Sequence, residues 1–198
     1  RCDVSNRIQV AEVFESMEEK KFTPDIIVLN AALMGDDVTQ QKFDHDHFEK
    51  MFAVNFSGAM NIIAKSLPIF QGRNQGVFIG ISSLTAIRCI ALGIAYPVSK
   101  VALNAALESF RLQFGGSNIR FITVNLGGMS QQGNILEVSF AKAAKMIVTL
   151  PEGNKNVVYY PFVPTLINWV LKFFPDKFIY ERIISKRREL VERRNQTS

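Results

Sequence analysis

The sequence is 198 residues long, 47% hydrophobic and 21% charged, enough apolar content to bury the core of one domain and so to exclude a disordered chain. Its formal charge is +5, but from Asp176 to the end seven Lys/Arg stand against four Asp/Glu, so a basic tail explains the excess and a nucleic-acid surface is excluded as its source. Cys2 and Cys89 share no Cys-x-x-Cys or Cys/His spacing, which excludes a disulfide framework and a zinc site, leaves no metal ligand to name and points to a reducing, cytoplasmic setting.

In chain order, RCDV (1–4) reads as the last residues of a strand, and Ser5 as the cap of a helix with a partial apolar stripe at Ile8, Ala11, Val13 and Phe14. DIIVLN (25–30) is a short, continuously apolar run, the pattern of a strand covered on both faces. After a polar loop, Asp44 caps a long helix through FEKMFAVNFSGAMNIIAKSLPIF. GVFIGISS (76–83) and IRFITVNL (119–126) are two more buried strands, separated by the helix YPVSKVALNAALESFRLQF. FAKAAKMIVTL continues as a helix and NVVYYP as a last strand. Strands alternating with helices predict a parallel sheet wound on both faces. The longest apolar stretch, VVYYPFVPTLINWVLKFF, is broken by Pro161, Pro164, Asn168 and Lys172, so a membrane-spanning helix is not expected.

In such a sheet ligands sit beyond the carboxyl ends of the strands. Small or hydrogen-bonding residues gather at each of these ends: Asp3, Asn30 with Ala31 and Ala32, Ser82 and Ser83, Gly127 and Gly128. Tyr96 and Lys100, four residues apart, share one face of a helix that Pro97 opens. A neighbouring ammonium favours phenolate, so Lys100 is expected to lower a Tyr96 pKa that starts near 10. Ser83 closes the preceding strand within reach of the same point, and Asn55 stands inside a helix, where a side-chain amide is mildly unfavourable. His45 and His47 flank Asp46 at a charged helix start, a solvated face rather than a metal site.

Asn30-Ala31-Ala32 after a buried strand, Asn55 in AVNFSG, Ser83 in GISS and Tyr96-x-x-x-Lys100, in this order, resemble the short-chain dehydrogenase/reductase family from Asp3 to about Tyr160. The resemblance implies a Rossmann-like, doubly wound α/β fold, N-terminally incomplete: an oxidoreductase domain over 1–162, then a C-terminal aromatic and basic helical extension over 163–198. It implies an oxidoreductase that interconverts an alcohol and a carbonyl with NAD or NADP. Tyr96 is then the general acid/base, Lys100 the partner of the nicotinamide ribose, Ser83 the group that orients the substrate, and Asn55 the holder of a proton-relay water. Asp3 and Val4 fall where the family meets the adenine, and Asn30 and Ala31 where it passes the adenosine ribose. Val54, Gly127, Gly128 and Ser130 complete the cofactor cleft.

Three features depart from the family pattern. The glycine-rich turn that cradles the pyrophosphate is absent, and Arg1 rather than Met opens the sequence, so the chain reads as beginning partway into a longer protein. Ala32 replaces a glycine, and Gly127-Gly128 replaces Pro-Gly. A second reading follows from the first departure: a non-catalytic, truncated family member that acts only as an association module.

The remaining expectations concern partners. The family implies a homodimer or homotetramer built on the helices that carry Asn55 and Tyr96. SQQGN (130–134) offers no charged anchor, which points to a neutral or lipophilic small-molecule substrate. Beyond residue 163, Trp169, Phe173, Phe174, Phe178 and Tyr180 alternate with cations around Pro175. Two short helices are expected there, placed in a membrane interface, over the substrate cleft or against a partner subunit.

Overall fold

The computed structural model describes residues 1–34, 43–89 and 93–186; the basic run at the end of the chain and part of the loop after Ala32 lie outside them. Helix α1 (Arg7–Glu19) leads to strand β1 (Ile26–Leu29). Asn6, not Ser5, caps α1, its Oδ1 accepting from Ile8 N at 2.9 Å and Gln9 N at 3.2 Å. Ser5 is engaged elsewhere, since its N–H and hydroxyl both donate to Asp3 Oδ1. That turn also corrects the strand expected at RCDV: residues 1–4 pair with no strand among the described residues.

Asp44 caps α2 (His45–Phe52) by accepting from His47 N. The predicted long helix continues from α2 through a π-helical turn (Ala53–Ser57) into α3 (Gly58–Arg73). Then come β2 (Gly76–Ser83), α4 (Ala95–Gln113) and β3 (Ile119–Leu126), close to their expected bounds. A short parallel pair not anticipated from the sequence follows, β4 (Gly128–Ser130) with β5 (Glu137–Ser139). There follow α5 (Phe140–Thr149), β6 (Val157–Tyr160), α6 (Phe162–Leu171) and α7 (Asp176–Ile179), which runs into a π-helical turn (Tyr180–Ile184), with Pro175 between α6 and α7 as expected.

The main sheet runs β1-β2-β3-β6, every pair parallel. Both faces of β2 and β3 are covered, whereas β1, expected to be covered on both faces, leaves Ile26 and Val28 about half exposed because it stands at the sheet edge among the described residues. On one face, α3 and α4 bury Phe70, Leu103 and Leu107 against Phe78 and Phe121, whose rings stack 4.9 Å apart. On the other, Ala143 of α5 and Val138 of β5 pack on Ile79, Ile81, Ile122 and Val124. At about 25 cal/mol per Å² of apolar area removed from water, these two layers dominate the stability of the fold. Gly80 shows how tightly α4 sits: a Cβ there would lie 2.3 Å from Leu107 Cδ1. The contact holds the helix carrying Tyr96 and Lys100 hard against β2 and brings its start to the carboxyl end of the strand.

Candidate active site

The site begins with the geometry of one helix against one strand. Tyr96 and Lys100 lie one turn apart on α4, as their spacing requires. Burial lifts the Tyr96 phenol above its ordinary value, and a hydrogen bond with the Ser83 side chain draws it partway back. The expectation that Lys100 lowers this pKa is therefore corrected. The Lys100 Nζ lies 5.6 Å from the Tyr96 ring centroid and donates to the Ile81 carbonyl at 2.9 Å. Desolvation outweighs a cation already engaged with β2. The same desolvation lowers Lys100 to about 8, consistent with a side chain only 3% exposed.

Ser83 Oγ also accepts from Thr85 N at 3.2 Å, capping the single turn Leu84–Ala86 that follows β2. Ser82 faces elsewhere and donates to the Lys100 carbonyl. The group that results, phenol, serine hydroxyl and buried ammonium at the end of a central parallel strand, can hold a proton on the phenol at neutral pH and present it beside a hydrogen-bonding hydroxyl.

Asn55 is buried in the π-helical turn, 1% exposed. Its Oδ1 accepts from Leu33 N at 2.6 Å, and its Nδ2 donates to Leu33 O at 3.0 Å and Ser99 Oγ at 3.1 Å. Ser99 in turn donates to the Tyr96 carbonyl at 2.7 Å. Asn55 thus clamps the segment after β1 and, through Ser99, the first turn of α4. Ser99 was not anticipated. Its signal was a small hydroxyl lying between Tyr96 and Lys100 on a helix whose other inward residues are apolar or part of the site. The π-helical turn follows a common pattern, since such turns recur at functional positions.

The cofactor residues divide into two groups. Val4, Asn30 and Ala31 line one cleft of about 170 Å³ together with Asn55, Gly58 and residues 27–29 of β1. Val4 is fixed there by its carbonyl, which accepts from Asn61 Nδ2 at 2.9 Å, and by Gly58, where a Cβ would lie 2.5 Å from Val4 Cγ2. Asp3 does not line that cleft; its carboxyl, held below its ordinary value by the Ser5 hydrogen bonds, caps its own turn. Val54 precedes Asn55 in the π-helical turn. Gly127 follows β3 and donates to the Tyr160 carbonyl at 2.7 Å. Gly128 and Ser130 belong to the β4–β5 pair, where Ser130 Oγ accepts from Gly133 N. Among the described residues, neither is hydrogen-bonded to Ser83, Tyr96 or Lys100.

Over residues 1–139 the chain matches the family model for short chain dehydrogenases. It is 29% identical over 126 residues to an uncharacterized oxidoreductase of Listeria monocytogenes, an alignment covering 63% of this chain and 50% of that protein. It is 26% identical over 166 residues to the NADPH-dependent pterin aldehyde reductase of Arabidopsis thaliana, covering 78% and 69%. The chain spans about half the length of several curated relatives it matches. A short chain dehydrogenase of Burkholderia cenocepacia J2315 in complex with NADP superposes with a TM-score of 0.75 at 21% identity, over 92% of this chain and 79% of that one.

Proposed function

Because the chain belongs to the short-chain dehydrogenase family, we propose that it is an oxidoreductase interconverting an alcohol and a carbonyl with NAD or NADP, Tyr96 serving as general acid/base. One observation carries this reading: a phenol with a raised pKa, hydrogen-bonded to Ser83 beside the buried Lys100, at the carboxyl end of a central parallel strand. A phenol that keeps its proton at neutral pH is fit to give it to a substrate oxygen in reduction; in oxidation the phenolate form takes the alcohol proton and is returned to phenol. Ser83 Oγ orients that oxygen, and Lys100 holds the ribose end of the cofactor.

The nicotinamide, when bound, supplies or accepts the hydride. The residues of this chain fit such a cofactor, with a buried ammonium beside the phenol for the nicotinamide ribose and Val4, Asn30 and Ala31 lining one apolar cleft for the adenosine half. No glycine-rich phosphate turn stands in the sequence, so no residue here is assigned to the pyrophosphate. The substrate is a neutral or lipophilic small molecule, in keeping with exposed Met129, Ile135 and Leu136 along the β4–β5 segment. The protein assembles as a homodimer or homotetramer through the helices carrying Asn55 and Tyr96; Val98, Val101 and Leu112 stand exposed on α4. A peripheral membrane contact completes the reading and rests on α6.

The decisive test is nicotinamide fluorescence on titration of the intact protein, followed by turnover of Tyr96→Phe. Tyr96→Phe is expected to keep cofactor affinity and to lose about 10²- to 10⁴-fold in turnover, the usual worth of a positioned acid/base. Absence of cofactor binding would end the enzyme reading and favour an association module. Unimpaired turnover in the variant would assign the proton to another group.

A further inference from the structure

Helix α6 has its polarity inside out. Its polar residues face the protein: Asn168 is buried, donating to the Pro164 carbonyl at 2.8 Å, and Thr165 is half-buried, donating to the Pro161 carbonyl at 2.7 Å. Facing outward, at helical spacing, are Phe162, Leu166, Trp169, Val170 and Phe173, the first 73% and the last 84% exposed. An ordinary surface helix shows the opposite arrangement. A contiguous aromatic and aliphatic stripe of this kind marks a face that something covers.

We propose that the outer face of α6, continued by Phe174 and Phe178 of the following turn, seats on the headgroup boundary of an anionic lipid bilayer. The charge around it selects this occupant. Residues 162–186 carry four cations, Lys172, Lys177, Arg182 and Lys186, against two carboxylates, Asp176 and Glu181. Asp176 is paired with Arg88, and Glu181 lies 3.9 Å from Lys177. A second copy meeting this face about a twofold axis would bring like cations together, whereas an anionic surface neutralises them. Lys172 Nζ lies over the Trp169 ring, 5.1 Å from its centroid, so a cation stands directly beside the aromatic stripe.

The inner side of α6 packs against β6 and the Leu84–Ala86 turn that Ser83 caps, and the base of the helix is latched there. Arg88 donates to the Phe174 carbonyl at 3.3 Å and to Asp176 Oδ1 at 2.5 Å. Arg88 belongs to the segment between Ser83 and Tyr96, so the lipid-facing helix is tied to the connection that joins the two groups. This contact with lipid does not require turnover, and its failure would leave the oxidoreductase reading untouched.

The test is flotation of the intact protein with vesicles of phosphatidylcholine alone and of phosphatidylcholine mixed with phosphatidylglycerol, at low and high salt. Recovery is expected with the mixed vesicles and is expected to fall as salt screens the cations. Phe173→Ser, at an exposed position where folding is not at stake, should weaken recovery about tenfold or more. Lys172→Ala and Lys177→Ala, which leave the stripe intact, should each weaken it about fivefold. Equal recovery with and without the anionic lipid would overturn the proposal, as would a Phe173→Ser variant that binds vesicles like the parent. So would self-association, seen by sedimentation and abolished by Phe173→Ser, in a protein that no vesicle recovers.

Discussion

Two of the regions that bury polar side chains do so differently. In α6, Asn168 and Thr165 donate to carbonyls four residues back in the same helix, so their burial is locally satisfied and ties them to no other element. Around the carboxyl end of β2, Lys100 donates to a carbonyl nineteen residues away and Asn55 bridges the segment after β1 to α4. A buried polar group satisfied within its own element is a packing solution. One whose partners lie on other elements fixes the relation between those elements, and this is what a site needs.

The contrast is broken or sharpened most strongly at Asn55. Asn55→Leu removes three hydrogen bonds and strands the Leu33 N–H and carbonyl, so unfolding stability should fall by about 3–4 kcal/mol, read as a lower urea midpoint. A loss below about 1 kcal/mol would put Asn55 in the same class as Asn168.

Next comes Lys100. With its folded pKa at about 8 against an ordinary 10.5, the folded protein releases the Lys100 proton while the unfolded chain still holds one. Stability contributed by this group therefore rises as pH climbs between those two values, by about 3 kcal/mol, and is flat on either side. Urea unfolding of the parent and of Lys100→Met across that window should show the rise only in the parent. A parallel pH dependence in both would show that Lys100 titrates as an exposed lysine.

Gly58→Ala is expected to cost about 1–3 kcal/mol, because the new methyl would press on Val4 and its main chain. The measurement is a thermal or urea midpoint, and an unchanged value would mean that the Val4 turn gives way freely. Smallest is Asn168→Leu, similar in shape, which should change stability by less than about 1 kcal/mol.

These differences also separate what the sequence reveals from what it conceals. The first three strands are legible because continuous apolar runs such as IRFITVNL leave little alternative, and the meeting of Ser83, Tyr96 and Lys100 follows from one strand end and one helical turn. The partner that Lys100 finds is concealed, since the Ile81 carbonyl is main chain and any residue at 81 would offer one. The role of Asn55 as a clamp depends on a π-helical turn that no spacing rule announces. Asp3 looked like a strand end because RCDV has the composition of one, but a strand needs a neighbour, and none is present beside it in the described residues. β4 and β5 have three residues each, too short for periodicity to register.

The outer side of β1 remains. Among the described residues β1 pairs only with β2, and Ile26 and Val28 stand about half exposed beside its free backbone groups. Ile26–Leu29 has no proline, lysine or bulge to turn a newcomer away. Among the described residues Ile26–Leu29 therefore presents a parallel hydrogen-bonding template flanked by apolar side chains, the kind of rim that one more strand completes.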